Sequence, residues 1–174
     1  SSSGHLAITQ DIIGLEAGKI PVIFDLLLHV ATLLAVLIYF RKRLISLTCA
    51  VFDRSRREER RLIMLLCVAT IPIVITGLSL KDPLEQVREN PVTVSLLLCI
   101  TGLILFLPGL IKAKPTRTPD VRSSILMGLA QALALLPGIS RSGSTIAAGL
   151  ALGIRPALAA EFSFLLAIPA ISGA

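Results

Sequence analysis

The amino-acid sequence predicts an all-α, polytopic membrane bundle with inverted-topology repeats and re-entrant half-helix hairpins. Three observations carry that expectation. Apolar residues fill 54% of the 174 positions and charged residues 16%, with a mean hydropathy of +0.84, far from the balance of a water-soluble domain. Apolar runs long enough to cross a bilayer alternate with short charged loops. Shorter apolar runs flank loops of Ser, Gly and Pro and are too short to cross.

Taken in order, Leu6 to Leu15 is a short apolar stretch behind Ser1-Ser2-Ser3-Gly4-His5. Full spans follow over Ile20 to Phe40, Leu62 to Leu80 and Pro91 to Ile111, each near the 20 or so residues that a hydrocarbon core requires. Between Ser123 and Leu136 the helix would reach only about 21 Å at about 1.5 Å per residue before it meets Pro137-Gly138. A second short piece, Thr145 to Ile154, stops at Arg155-Pro156, and a fourth span begins at Ala157 and is still apolar at Ala174. Ser1 follows no methionine and no basic leader with a cleavage site, so both ends read as boundaries of a fragment. The expected organisation is one membrane domain over 1–174. In it 1–111 is the remainder of a first repeat with three full spans, and 112–174 opens a second repeat with a re-entrant hairpin at 123–154.

The net charge of +6 does not read as nucleic-acid binding, because the basic residues lie in short loops between apolar spans rather than on one polar face. The stretch from Arg41 to Arg61 is strongly basic, Lys81 to Asn90 holds more acid than base, and Lys112 to Arg122 is basic again. The positive-inside rule therefore places the first and third loops in the cytoplasm and the second outside. Cys49, Cys67 and Cys99 are odd in number and lack ligand-like spacing, which excludes a disulfide framework or a zinc site as their purpose.

Two half-helices that start after a cytoplasmic loop and return to Arg155 enter and leave on the cytoplasmic face. The N-terminal piece matches this arrangement: Ser1 to His5 parallels Ser140 to Ser144, each loop precedes a short helix, and each following span carries an early acid, Asp25 or Glu161. The two copies enter from opposite faces, as in inverted repeats whose polar site lies near the bilayer midplane.

The loop PGISRSGST, Pro137 to Thr145, sets a guanidinium, four hydroxyls and two glycines at membrane depth, where unpaired polar groups are costly. Arg141 keeps its charge and presents a planar fork suited to phosphate oxygens, and Gly138 and Gly143 allow close backbone approach. A half-helix beginning near Ser144 to Thr145 adds partial positive charge at its N-terminus. Ser140, Arg141, Ser142, Gly143 and Thr145 are thus candidate phosphate-binding residues; the competing reading is a structural Arg141 tying two half-helices through backbone carbonyls. His5, with Ser2 close in sequence, is a candidate acid, base or nucleophile in the mirror-image loop. Asp25 and His29 share one helix face and form either a structural pair or part of the site. Glu161 is read as structural, accepting bonds from loop hydroxyls.

These segments, PGISRSGST with EFSFLLAIPA downstream (Glu161 to Ala170), SSSGH at the start and FDLLLHVATLLAVLIYFRKRL (Phe24 to Leu44), resemble the undecaprenyl-diphosphate phosphatase family, also known for bacitracin resistance. The resemblance runs over essentially the whole chain. It implies removal of one phosphate from undecaprenyl diphosphate, which regenerates the carrier lipid for peptidoglycan synthesis. It also implies a multi-pass protein of the bacterial inner membrane with a periplasm-facing site, and it leaves a homodimer open. The family's loop residues fall on Ser140, Arg141 and Thr145, its first-loop serine and histidine on Ser2 and His5, and its cofactor is a divalent cation, Mg2+ or Ca2+. Its Glu-rich motif, the expected source of cation ligands, belongs upstream of Ser1, so the metal site is unknown from these residues and the chain by itself is expected to be inactive.

Two other classes share part of this pattern. The type 2 phosphatidic acid phosphatase signature needs a histidine several residues after Ser-Arg, and none follows Arg141. A transporter or flippase for an anionic polyprenyl lipid or small anion fits the same broken-helix repeats.

Overall fold

The computed structural model describes residues 22–79, 87, 90–111 and 114–173, with side chains from Leu27 onward. Among them the chain is all helical: α1 (Val22–Tyr39), α2 (Arg41–Phe52), α3 (Arg57–Ser79), α4 (Pro91–Ile111), α5 (Val121–Leu133), α6 (Arg141–Ala151) and α7 (Pro156–Ser172). Two of these, α3 and α4, are long and apolar enough to cross a membrane. They match the expected second and third spans. Helix α1 follows the first expected span, and α7, shorter and apolar, follows the fourth. The outer faces of the bundle are apolar, as a lipid-facing surface must be: Leu96, Leu103, Phe106 and Leu110 of α4 are exposed.

Where a loop was expected between the first two spans, the structure has a helix. Five of the eight basic residues from Arg41 to Arg61 lie outside it, and within α2 Leu47 and Ala50 are buried at i, i+3 spacing, the pair that docks it beside α3. Only Phe40 interrupts α1 and α2, and its amide and carbonyl both stay bonded, to Val36 O and Leu44 N, each at 2.9 Å. The turn into α3 is an Asx turn in which Asp53 Oδ1 accepts from the amide (2.9 Å) and hydroxyl (2.7 Å) of Ser55. Helix α3 then starts five residues before its apolar run, with Glu58 and Glu59 in its first turn, where the helix dipole favours acids.

The hairpin of α5 and α6 is present, packed between α3, α4 and α7. Asp120 caps α5 in a reciprocal box: its carboxylate accepts from Ser123 N at 2.8 Å, and its own amide donates to Ser123 Oγ at 2.8 Å. Those bonds, the Ser123 amide first, hold the Asp120 carboxyl below the ordinary carboxylate range. At the same end Arg117 N donates to Gly153 O (2.9 Å) and Arg155 N to Arg117 O (3.1 Å), which seals the base of the hairpin. The core joins Leu65 and Ala69 of α3, Met127 of α5, and Ala159, Phe162 and Leu166 of α7. Close approach sets this packing, since a Cβ on Gly128 would lie 2.4 Å from Ala69 O.

The first hairpin expected near residues 1–15, with Ser2 and His5, lies outside the described residues, as does the Asp25 side chain, although Asp25 itself falls in α1.

Gly128→Ala should lower stability by about 1–3 kcal/mol, because backbone rather than a flexible side chain blocks the new methyl. Gly102→Ala, with nothing within 4 Å, should be neutral. Melting in detergent, monitored on both variants, checks the contrast. Asp120→Ala should cost about 1 kcal/mol. Because the folded carboxyl titrates below its usual range, its contribution is full at neutral pH and is lost as pH falls below about 4, through the lowered folded value. The acid limb of a stability-versus-pH curve should therefore be shallower in Asp120→Ala than in the parent.

Candidate anion site at the tip of the re-entrant hairpin

A chain that turns at membrane depth must satisfy its own backbone polar groups. The turns after α5 do so step by step: Leu135 N bonds Ala132 O at 3.1 Å, Leu136 N bonds Leu133 O at 3.2 Å, and Ile139 N bonds Leu136 O at 3.1 Å. Gly138 then takes φ +102, and a Cβ there would sit 2.6 Å from Val94 O and 2.9 Å from Leu97 Cβ. Both backbone handedness and space require glycine at this position. Thr101 of α4, 6% exposed, completes the turn. Its hydroxyl donates towards Gly138 O (2.9 Å) and Leu97 O (3.1 Å), and it accepts from Ser140 N (3.1 Å).

From this anchor α6 begins at Arg141, earlier than the expected Ser144 to Thr145. The reason is Ser140, which stands at the N-cap and accepts from Gly143 N at 3.1 Å. The SRSG sequence is therefore the first turn of a helix rather than a loose loop. Ser140 serves the fold as a cap, and Gly143 is packed tightly beneath it, with an added Cβ 2.9 Å from Ser140 Oγ and 3.1 Å from a Leu105 methyl. The backbone N–H groups of Arg141 and Ser142, at the open end of α6, make no hydrogen bond among the described residues.

Arg141 is half-buried, and its guanidinium makes no ion pair or hydrogen bond among the described residues. Ser142, beside it, is exposed. Thr145 points the other way: it is fully buried, donates to Arg141 O (2.9 Å) and Ser142 O (3.1 Å), and shares a hydrogen bond with Ser163 of α7. Thr145 thus fixes α6 on α7. The open groups at the tip are a guanidinium, a serine hydroxyl and two orphan amides, all donors, at the positive end of a helix. Such a set of donors is chemically suited to an oxyanion.

Glu161 does not accept from the loop hydroxyls. Its Oε1 takes the Nε–H of Arg43 at 2.7 Å, because it faces α2 while its neighbour Ser163 faces α6. His29 is half-buried on α1. Two residues were overlooked in the sequence. Thr101 was hidden within an apolar span, and Gln131, 1% exposed in α5 with no partner for its amide atoms among the described residues, sits in the half-helix leading to the tip. In both cases the available signal was a hydrogen-bonding side chain in an otherwise apolar membrane run. Among the described residues no group of three or more His, Cys, Asp or Glu side chains converges as metal ligands.

The family model described as Bacitracin resistance protein BacA matches residues 1–174. The chain belongs to the BacA family. Curated BacA relatives span its full length: the undecaprenyl-diphosphatase of Elusimicrobium minutum (strain Pei191) is 39% identical over 174 residues, and that of Syntrophotalea carbinolica is 42% identical over 178 residues. The chain covers 67% of each of those proteins. A third, from Methanosphaera stadtmanae, is 37% identical over 191 residues, with all of this chain and 68% of the relative aligned. The stretch Pro137 to Thr145 is the one that the structure shapes into a capped, glycine-seated helix start.

Thr101→Val keeps the side-chain shape but strips the Gly138 carbonyl and Ser140 amide of their partner. It should cost about 1–3 kcal/mol in a detergent melt, whereas Thr101→Ser, which restores the hydroxyl, should recover most of that loss.

Proposed function

We propose that this chain belongs to an enzyme that hydrolyses undecaprenyl diphosphate to undecaprenyl phosphate and inorganic phosphate. This recycles the carrier lipid for peptidoglycan synthesis and confers resistance to bacitracin. The relatives that cover its whole length are named for that substrate. The observation that carries the reading is Arg141, a half-buried guanidinium that makes no ion pair among the described residues, set by the Ser140 cap at the open end of a helix in an apolar bundle. Burial of an unpaired charge is costly, and a bound diphosphate offsets that cost.

The chemistry is phosphoryl transfer, in which position and electrostatics do most of the work. Arg141 and the first amides of α6 hold the non-bridging oxygens and balance charge as the anhydride P–O bond breaks. The electron pair of that bond leaves on the lipid phosphate oxygen. Ser2 attacks the terminal phosphorus while His5 accepts its proton; water then cleaves the phosphoserine and releases inorganic phosphate. With the roles exchanged, His5 attacks and a phosphohistidine takes the place of the phosphoserine. The described residues do not supply a ligand cluster for the Mg2+ or Ca2+ ion of the resemblance.

The setting is a multi-pass protein of the bacterial inner membrane with its site open to the periplasm. Gly138 packs against Val94, Leu97 and Leu98, near the start of α4, within about 5–10 Å of that end at 1.5 Å per residue. That start follows the least basic loop, which the positive-inside rule puts outside. An inverted repeat of the kind the sequence suggests would bring Ser2 and His5 to the same depth from the opposite face.

In the intact protein, Arg141→Lys keeps the charge but loses the fork. It should reduce phosphate release from a polyprenyl diphosphate by about a hundredfold or more at unchanged thermal stability. Turnover near the parent rate would remove Arg141 from the transition state, and headgroup binding without phosphate release in the parent protein would favour transport.

A further inference from the structure

Away from the hairpin tip, at the end of the bundle that carries the basic loops, a cleft of about 210 Å3 opens between α2, the start of α3, the segment before α5 and the start of α7. Its walls bring together Arg43, Arg61 and Arg155 with Glu58 and Glu161, and its floor is apolar, made by Leu62, Leu158 and Phe162. We propose that this cleft binds the phosphodiester headgroup of an anionic phospholipid, one lipid per chain.

The charge count selects the ligand. Three guanidiniums against two carboxylates leave one positive charge, the complement of a single phosphodiester rather than of a doubly charged phosphate. Arg43 and Glu161 already satisfy each other at 2.7 Å, bridging α2 to α7 across the cleft. Arg61 spends one donor on Pro119 O at 3.3 Å and keeps the rest of its fork. Arg155, exposed at the start of α7, makes no ion pair among the described residues, and neither does Glu58. The two open guanidiniums suit phosphate oxygens, and Glu58 is an acceptor for headgroup hydroxyls, which a glycerol headgroup supplies.

The floor selects a lipid over free phosphate. An apolar base beneath the guanidiniums gains nothing from a hydrated ion, whereas it accepts the glycerol backbone and the first methylenes of an acyl chain. A cleft of about 210 Å3 leaves room for the phosphodiester itself. Around the cleft, Arg57, Arg60, Arg117 and Arg122 are exposed at the same end, and such a basic rim attracts an anionic leaflet.

The test uses the intact protein, delipidated in neutral detergent and titrated with phosphatidylglycerol while native mass spectrometry counts bound lipid. The parent should retain one phosphatidylglycerol in preference to phosphatidylcholine. Arg155→Gln should weaken that retention by about tenfold, and Arg155→Lys should recover part of it. Phosphate release by Arg155→Gln should stay at the parent level, which certifies its fold and separates this site from the hydrolytic one. Equal retention by parent and Arg155→Gln would overturn the proposal. So would equal binding of phosphatidylcholine, or displacement of the lipid by inorganic phosphate at matching concentration.

Discussion

The structure depends on one constraint: a polypeptide that reverses direction inside an apolar bundle must find partners for every backbone group it exposes. Thr101 meets that demand at the tip of the hairpin, where a single hydroxyl serves both Gly138 O and Ser140 N. Gly138 permits the contact, because any side chain there would collide with the backbone of α4. Once Ser140 N is held, its side chain is placed to cap α6, and the helix start, with Arg141 at its first position, follows. The candidate chemistry therefore rests on a hydrogen-bonding residue forty positions upstream in α4, which touches none of the reacting groups in the proposed scheme.

The second wall of the hairpin is α7. Thr145 and Ser163 bond each other in its interior, and Gly149 lets α6 lie close to α7, since an added Cβ would sit 3.0 Å from that of Ala159. Small residues and paired hydroxyls are what bring helices together where lipid removes the usual hydrophobic drive. This division of labour explains why a motif rich in hydroxyls uses them so differently. Ser140 caps, Thr145 docks, and only Ser142 with the guanidinium beside it is left open at the mouth.

Much of this was legible in the sequence for physical reasons that can be named. Span length and charge placement follow from bilayer thickness, so α3, α4 and the half-length hairpin stood out. Pro137-Gly138 marked the reversal because neither residue continues a helix. The motif PGISRSGST, with the segments around it, carried the family. Other features depend on tertiary partners. Helix α2 was masked by its basic first turn, since its buried face amounts to little more than Leu47 and Ala50. The start of α6 was placed late because hydroxyls read as loop composition, although Ser140 three residues before Gly143 is also a cap signal. Glu161 pairs with Arg43 rather than with the loop hydroxyls: which face of α7 meets α2 is set by packing across 118 residues of sequence, and no local pattern encodes that.

The central claim is that a lipid diphosphate sits on the open end of α6 against Arg141. An experimental structure of the intact protein with a non-hydrolysable polyprenyl diphosphonate bound tests it directly. The account predicts phosphonate oxygens within hydrogen-bond distance of the Arg141 guanidinium and of the first backbone amides of α6, with the chain leaving towards the apolar outer face. A headgroup seated elsewhere, with Arg141 engaged by protein alone, would contradict it.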